Sequence, residues 1–88
     1  MKQCEVILSN SSGLHARPAN ALVKKAKSYH SQIWLETVKA KVDAKNIVKV
    51  LSLGVPQGTI VIITAKGDDE VEAVNGLAEL IESKFGKE

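Results

Sequence analysis

The sequence predicts an α+β fold in which a four-stranded sheet carries helices on one face. Segments with strand-like residues alternate with segments of helical periodicity, and their predicted order is β-α-β-β-α-β-α. The chain has 88 residues, of which 44% are apolar and only 3% aromatic. The predicted core is therefore small and aliphatic, and we expect residues 1–88 to form a single domain.

The first half of the chain predicts a strand, a loop and a long helix. Residues 4–8 have the pattern of a strand, and a dense cluster of turn-forming residues at 9–13 ends it. Helical periodicity begins at Ala16, and Pro18 suits the first turn of such a helix. The apolar positions of this helix are Ala19, Leu22, Val23, Ala26 and Tyr29.

The next segments predict a hairpin and a short helix. Residues 32–36 and 39–43 resemble short strands, and they are close enough in sequence to pair with each other. Asn46 is a suitable N-cap for one or two helical turns before Gly54. Within this segment we assign Val50 and Leu53 to the core.

The last third predicts a buried strand and a second long helix. Residues 59–65 are rich in β-branched side chains, which favours a central strand. The acidic residues at 68–70 favour the start of a helix. Its apolar positions are Val71, Val74, Leu77, Ala78, Ile81 and Phe85. We expect Gly86 to end it.

The net charge of +2 conceals an asymmetry between the two halves of the chain. Residues 1–49 hold nine basic and three acidic residues, a net +6, whereas residues 50–88 have a net charge of −4. The basic half is expected to face an acidic partner or an anionic group. Nucleic acid is a poor candidate, because proteins of this size that read single strands stack bases on aromatic side chains, which are scarce here.

Several other classes of protein are excluded by composition. No apolar run approaches the ~20 residues that a membrane-spanning helix needs, and no signal-peptide pattern begins the chain. Cys4 is the single cysteine, and the two histidines do not form a zinc-binding pattern with it. We therefore expect a cytoplasmic protein without a disulfide, metal ion or cofactor.

One segment carries a chemically suggestive arrangement. His15 follows a glycine-containing loop at the start of the first helix, two residues before Arg17. Free N–H groups at a helix N-terminus attract an anion, and an arginine can clamp a phosphate or carboxylate. Histidine can also act as a covalent nucleophile. The ordinary alternative is that His15 is a surface loop residue and Arg17 a solvated charge.

Residues 13–19, Gly-Leu-His-Ala-Arg-Pro-Ala, resemble the active-site signature of the HPr family. These are the histidine-containing phosphocarriers of the bacterial phosphoenolpyruvate-dependent sugar phosphotransferase system. The similarity extends over the whole chain and includes residues 46–55 and 67–70. It implies an HPr-like open-faced β-sandwich: an antiparallel sheet of order 1-4-2-3, with two long helices and one short helix on one face.

The resemblance also implies a reaction. His15 would accept a phosphoryl group on Nδ1 from enzyme I, which takes it from phosphoenolpyruvate. It would then pass the group to the A domain of a sugar-specific enzyme II, enzyme IIA. Arg17 would stabilise the phosphoryl group, the N–H groups of Ala16 and Arg17 would help to hold it, and Ser12 is a further candidate donor. Such a protein is a stoichiometric carrier rather than an enzyme, and most simply a monomer.

By the same resemblance, a surface around His15 would dock both partners. Its apolar members would be Ile47, Val48 and Leu51. Its polar and basic members would be Asn20, Lys24, Lys27, Lys45 and Lys49. The alternative is that Ile47 and Leu51 belong to the core and that the lysines form an ordinary solvated face.

One position departs from the family pattern. Many members carry a serine where this chain has Asn46, and in Gram-positive bacteria a dedicated kinase phosphorylates that serine. Asparagine has no hydroxyl and no charge, so we expect this chain to lack the serine switch. Two other functions stay open: a paralogue with a regulatory, protein-binding role, and a small phosphatase, which would lack a second catalytic group.

The remaining distinctive residues are predicted to be structural. We place His30 in the apolar sector at the end of the first helix, and Cys4 in the first strand as a small hydrophobic residue. Trp34 would either cover the open face of the sheet or fill the core. Gly76, in the middle of the last helix, suggests close packing against the sheet or another helix.

Overall fold

The computed structural model describes residues 1–11 and 13–85, which form seven elements in the predicted order. The strands are β1 (Lys2–Ile7), β2 (Gln32–Glu36), β3 (Lys41–Asp43) and β4 (Ile60–Lys66). The helices are α1 (Ala16–Lys27), α2 (Ile47–Ser52) and α3 (Glu70–Glu82). Among these described residues, no helix combines the length and apolar character needed to cross a membrane.

The four strands form one antiparallel sheet of order β1-β4-β2-β3, as the family resemblance implies. The β-branched strand β4 is central, and its Ile63 faces Cys4 of β1 on one side and Leu35 of β2 on the other. The predicted hairpin pairs β2 with β3. This topology places the start of β4 beside the end of β1, where the loop leading to α1 begins.

The core lies on one face of the sheet, beneath the two long helices. Alternate residues of β4, namely Val61, Ile63 and Ala65, are buried on that face. Helix α3 packs on β1 and β4, and α1 lies beside α3 and α2. The residues Val50 and Leu53 are buried as expected. Since the described core residues are nearly all Val, Ile, Leu and Ala, the prediction of an aliphatic core is confirmed.

Several element boundaries differ from the sequence prediction. Strand β1 spans Lys2–Ile7 rather than residues 4–8, and β4 spans Ile60–Lys66 rather than residues 59–65. Helix α1 ends at Lys27, so Tyr29 lies beyond it. Strand β3 begins at Lys41 rather than at residue 39, because Thr37 and Ala40 close the hairpin turn with a backbone hydrogen bond. Helix α3 ends at Glu82, and Phe85 has a left-handed φ of 58° outside it. Gly86, the expected terminator, lies outside the described residues.

Gly76 marks a close approach between α3 and the segment after α1. A Cβ atom at this position would overlap the hydroxyl of Tyr29, so only glycine leaves room for that ring. The carbonyl of Tyr29 in turn accepts a hydrogen bond of 2.8 Å from Nζ of Lys45. The helical glycine is therefore explained by a close contact, as predicted, but the contact is with Tyr29 in the segment after α1 rather than with the sheet.

Trp34 and Cys4 lie on opposite faces of the sheet. Trp34 sits on the open face, where Nζ of Lys41 is 5.4 Å from the ring centroid, a cation–π arrangement. The first of the two alternatives for Trp34 is therefore correct. Cys4 is partly buried against the core, as expected of a small hydrophobic residue. Burial raises the pKa of its thiol.

His30 is not in the apolar sector of α1, and that prediction is wrong. The helix has already ended, and His30 is exposed in the loop before β2. Its backbone N–H donates to the carboxylate of Asp69 at 2.8 Å, and the backbone N–H and hydroxyl of Ser31 donate to the same carboxylate. Asp69 therefore fastens this loop to the start of α3.

These hydrogen bonds predict an acid-sensitive contribution to stability. The hydroxyl of Ser31, followed by the backbone N–H of His30, lowers the pKa of Asp69 from 3.8 to about 2. The unfolded chain therefore binds a proton at higher pH than the folded chain does. The stabilising contribution should be complete above about pH 4 and lost as the pH falls through about 2. Urea unfolding across this range measures it.

A neighbouring aspartate supplies the matched control for this expectation. Asp69→Asn should reduce the acid dependence of the free energy of unfolding, because this carboxylate is gone. Part of the dependence should remain, because hydrogen bonds from the N-terminal ammonium and the N–H of Gly67 also lower the pKa of Glu70. Asp68→Asn removes an exposed carboxylate one residue away and leaves the hydrogen bonds to Asp69 in place, so the contribution of Asp69 should remain. Equal acid slopes for all three proteins would contradict the role assigned to Asp69.

Candidate functional site

The loop before α1 is fixed by backbone contacts with the segment that precedes β4. The N–H of Leu8 donates to the carbonyl of Thr59 at 2.9 Å, and the N–H of Leu14 donates to the carbonyl of Val55 at 2.8 Å. Both leucine side chains are buried. Between them, Gly13 has a φ of +68°, which favours glycine. His15 therefore follows a buried and hydrogen-bonded anchor.

His15 is the N-cap residue of α1, and its side chain is exposed. The imidazole makes no capping hydrogen bond, unlike the side chain of a serine or aspartate at such a position. The carbonyl of His15 accepts the first helical hydrogen bond, from the N–H of Ala19 at 2.9 Å. The backbone thus holds the residue while the ring is available for chemistry.

The first turn of α1 presents two backbone donors next to His15. Pro18 has no N–H, and the N–H of Ala19 is already bonded. The N–H groups of Ala16 and Arg17 remain, and neither has a hydrogen-bond partner among the described residues. This arrangement suits an anion at the helix N-terminus.

Arg17 adds a positive charge at the same place. Its side chain is exposed, and no carboxylate in the described part of the chain forms an ion pair with it. The guanidinium is therefore free to contact an incoming anion. Ser12, the further candidate donor, lies outside the described residues.

A shallow, largely apolar groove adjoins the histidine. It has a volume of about 380 Å³, and its lining brings His15 and Ala16 together with Leu51, Val55 and Pro56. Leu51 belongs to α2, so the groove joins the helix that begins at the histidine to the short helix predicted for docking. A surface that is open and apolar here fits contact with another protein better than enclosure of a small substrate.

Helix α2 divides its apolar residues between the core and the surface. Val50 is buried, whereas Val48 is 69% and Leu51 40% exposed. Ile47 is partly buried against the core. The N-cap of α2 is Asn46, whose side-chain oxygen accepts the N–H of Lys49 at 3.2 Å. Val48 and Leu51 are thus available to a partner, whereas Ile47 contacts the core and is partly exposed.

The predicted polar and basic docking residues are not equivalent. The exposed ones are Asn20, Lys24, Lys27 and Lys49. Lys45 is half-buried, and its ammonium group is held by the carbonyl of Tyr29. Tyr29 follows the C-terminal end of α1, whereas His15 precedes its N-terminal end. The ammonium group of Lys45 is therefore about 15 Å or more from His15, measured parallel to the axis of α1. Lys45 therefore has a structural contact in addition to any role at a docking surface.

Sequence reasoning missed two features of the site. Asn10 is 1% exposed and donates a side-chain hydrogen bond to the carbonyl of Gly13 at 2.6 Å. Val55 and Pro56 form the wall that Gly13 approaches and one side of the groove. Asn10 lies within a cluster of turn formers, where asparagine is common, so no sequence signal separates it from its neighbours.

One cluster of described residues has donor atoms spaced for a metal ion. The side chains of His30, Asp68 and Asp69 place one ligand atom each within 4.8 Å of the others. The cluster lies at the end of the sheet opposite His15, because Gln32 at the start of β2 pairs with Lys66 at the end of β4. Both oxygens of Asp69 already accept hydrogen bonds. The cluster is therefore separate from the candidate site.

Comparison with known proteins agrees with this geometry. The family model described as PTS HPr component phosphorylation site matches residues 2–83. The phosphocarrier protein HPr of Borreliella burgdorferi is 42% identical over 83 residues, which cover 94% of this chain and 96% of that protein.

Two solved structures are similar over nearly the whole chain. The crystal structure of HPr-C-His from Thermoanaerobacter tengcongensis is 51% identical with a TM-score of 0.96, covering 100% of this chain and 99% of that one. The Bacillus subtilis catabolite repression containing protein Crh is 39% identical with a TM-score of 0.76, covering 96% and 97%. The chain belongs to the HPr family, the phosphocarrier proteins of the phosphotransferase system.

Proposed function

We propose that this chain accepts one phosphoryl group on Nδ1 of His15 from phosphorylated enzyme I and passes it to enzyme IIA. In each step the acceptor attacks phosphorus, the new bond to phosphorus forms, and the bond to the donor breaks, so the phosphoryl group is conserved. The supporting observation is the exposed imidazole of His15 beside two backbone N–H groups that no described residue uses.

The charges around His15 suit a phosphoryl group. Its oxygens carry negative charge, which the positive end of the α1 dipole and the N–H groups of Ala16 and Arg17 stabilise. The guanidinium of Arg17 can supply a charge-assisted hydrogen bond to the same oxygens. Ser12 is proposed as an additional donor from the preceding loop. These contacts favour the phosphorylated state without enclosing it, so a second protein can take the group.

The surroundings of the histidine favour a carrier over a phosphatase. Among the described residues, no carboxylate lines the groove beside His15, and aliphatic side chains and backbone form most of its wall. Hydrolysis would need a group that activates water at this point. We therefore propose that residues 1–88 act as one stoichiometric carrier domain without turnover of its own.

One labelling reaction tests this function. Mixing the protein with enzyme I and phosphoenolpyruvate should add one phosphoryl group per chain, and the bond should be labile to acid and stable to base. His15→Ala should remove all labelling. The measurement is the mass of the intact protein before and after the reaction.

The other histidine provides the control for labelling. His30→Ala alters an exposed imidazole at the opposite end of the sheet and should leave labelling complete. Absence of labelling of the wild type, under conditions that label a known HPr, would contradict the proposed function. Labelling that persists in His15→Ala would place the phosphoryl group elsewhere.

We propose further that the serine switch of the family is absent at position 46. Asn46 already caps α2 through the N–H of Lys49, so the helix keeps its start without a hydroxyl. Incubation with the kinase that phosphorylates HPr on serine, and with ATP, should leave the wild type unmodified. Asn46→Ser should create a phosphorylation site while keeping a capping oxygen. Modification of a serine near α2 in the wild type would contradict this.

A regulatory, protein-binding role in carbon or nitrogen control is the second candidate. The observation that favours it is the 39% identity to Crh, a protein named for catabolite repression. Both candidates use the surface that contains Val48 and Leu51, but only the carrier must be labelled by enzyme I. Genes for enzyme I and sugar permeases beside the gene for this chain would favour transport, and regulatory genes would favour the second role.

We propose a monomer in the cytoplasm as the working form. A carrier that presents His15 to two partners in turn needs that side of the molecule free. Light scattering during size-exclusion chromatography should give the mass of one chain, 9.5 kDa. A mass of two chains would contradict the monomer and would resemble the domain-swapped dimer of Crh.

A further inference from the structure

Asn10 is a buried polar residue that the proposed transfer chemistry does not use. It is 1% exposed, although it follows the first strand closely in a loop of polar residues. Two hydrogen bonds join it to Gly13. Its side-chain Nδ2 donates to the carbonyl of Gly13 at 2.6 Å, and its own carbonyl accepts the N–H of Gly13 at 3.1 Å. The two residues therefore close the loop through both polar groups of Gly13.

The orientation of the Asn10 amide follows from these contacts. If the amide were rotated by 180°, two oxygens would face each other at the short Asn10–Gly13 contact, so Nδ2 must be the atom that faces the carbonyl. The remaining oxygen, Oδ1, is buried and has no hydrogen-bond partner among the described residues. A buried acceptor without a partner is unfavourable. The hydrogen bond from Nδ2 to the Gly13 carbonyl is the side-chain interaction that offsets this cost.

The Gly13 carbonyl lies two residues before the phosphoryl acceptor. Leu14, the one residue between Gly13 and His15, is buried, and its N–H donates to the carbonyl of Val55. The Gly13 carbonyl and this N–H belong to the same planar peptide unit, so a rotation of the carbonyl also weakens the anchor that precedes His15. Because Asn10 is buried, the bond to it directs the Gly13 carbonyl toward the interior. The exposed N-terminal end of α1 then presents N–H donors to a phosphoryl group, and no neighbouring carbonyl oxygen repels that group.

We infer that Asn10 is a positioning residue for phosphoryl transfer at His15. It holds the Gly13 carbonyl inward and thereby sets the place of the imidazole relative to the N–H groups of Ala16 and Arg17. Asn10 does not touch the phosphoryl group. The inference rests on the proposed function of His15 and adds to it a residue that acts through the loop.

The test compares Asn10 variants with a variant of another buried hydrogen-bonded side chain. Asn10→Ala removes the donor, and Asn10→Asp keeps the shape but places an acceptor opposite the Gly13 carbonyl. Ser31→Ala is the matched control, because Ser31 is also 1% exposed and its hydroxyl bonds to Asp69 at the opposite end of the sheet. All are assayed in enzyme I-catalysed phosphorylation at a temperature at which each is folded.

We expect kcat for phosphorylation to fall on the order of tenfold in both Asn10 variants, since misplacement of a reacting group by about 1 Å can cost up to a hundredfold. The KM of enzyme I for the Asn10 variants should stay near its KM for the wild type, because the docking residues are unchanged. The phosphorylated forms of the Asn10 variants should also lose the phosphoryl group faster than that of the wild type. Ser31→Ala should match the wild type in all three measurements.

The possible outcomes separate this inference from the proposed function. If the wild type is labelled and the Asn10 variants keep the kcat and phosphoryl lifetime of Ser31→Ala, Asn10 is only a structural residue and the inference is wrong. If the wild type is not labelled, the proposed function fails and the inference fails with it. If Asn10→Ala does not fold, the test uses Asn10→Asp alone. If neither variant folds, the test uses Asn10→Ser.

Discussion

Gly13→Ala should lower the free energy of unfolding by about 3 kcal/mol or more and should slow phosphorylation of the protein that still folds. Two effects add at this position. The φ of +68° is strained for any residue with a side chain. A Cβ atom would also lie 2.5 Å from the carbonyl oxygen of Val55 and 3.0 Å from Cα of Pro56. Because these are backbone atoms, a change of rotamer cannot relieve the overlap.

The overlap would act directly on the site. To make room, the loop must move away from Val55, which stretches the 2.8 Å hydrogen bond between the N–H of Leu14 and that carbonyl. His15 is the next residue, so its imidazole moves relative to the first turn of α1. Urea unfolding measures the loss of stability, and the initial rate of enzyme I-dependent labelling measures the loss of activity.

Gly54 offers a control with the same backbone strain and no overlap. Its φ is +56°, and a Cβ atom there would meet no other atom within 4 Å. Gly54→Ala should therefore cost only about 1–2 kcal/mol, the conformational penalty alone. The difference between the two variants isolates the contact with Val55 and Pro56. Equal losses of stability would mean that the loop relaxes freely and that Gly13 is needed only for its backbone angle.

The order of elements could be predicted from the sequence because each long element has a strong local pattern. The β-branched segment became the central strand β4, and the apolar stripes became α1 and α3. The ends of the elements depended on contacts that are distant in sequence. Tyr29 continues the helical stripe of α1, but its ring packs beside Gly76 of α3 and the chain has already left the helix.

The position of His30 also depends on a contact that is distant in sequence. Its spacing fits the apolar sector of α1, and nothing nearby in sequence indicates a different place. The loop that contains it is fastened by Asp69, which lies 39 residues away. A hydrogen bond between residues so far apart does not change the local pattern of apolar residues. The environment of His30 could therefore not be predicted from the residues around it.

For the candidate site, His15 and Arg17 could be proposed from the sequence, whereas the residues that we propose to position them could not. A histidine before an arginine and a proline at a helix start implies an anion site from local chemistry alone. Asn10 acts on Gly13 only three residues away, yet its importance depends on burial, which the surrounding polar residues conceal. The contact of Gly13 with Val55 depends on a segment that follows about forty residues later.

The second large effect is expected at the proposed docking surface beside the histidine. Val48→Asp places a negative charge on an apolar side chain that is 69% exposed in α2. The KM for this protein should rise about tenfold or more in both reactions, phosphorylation by enzyme I and transfer to enzyme IIA. The new charge must be desolvated at an apolar contact and would repel an acidic partner. The rate with saturating partner should change little, since His15 and Arg17 are untouched.

Val71→Asp is a closely matched control for this effect. Val71 is 48% exposed and is the second residue of α3, just as Val48 is the second residue of α2. An acidic side chain in the first turn of a helix is favourable to its dipole. At position 71 the neighbouring Glu70 and Glu72 add like-charge repulsion, so urea unfolding is used to check that both variants are folded in the assay. The two variants add the same charge at the second position of a helix, but α3 begins at the end of the sheet opposite His15 and its first turn is already acidic. A KM that rises equally in both variants would show that added negative charge anywhere weakens binding. A rise confined to Val48→Asp would assign the contact to α2, and no rise in either would remove Val48 from the docking surface.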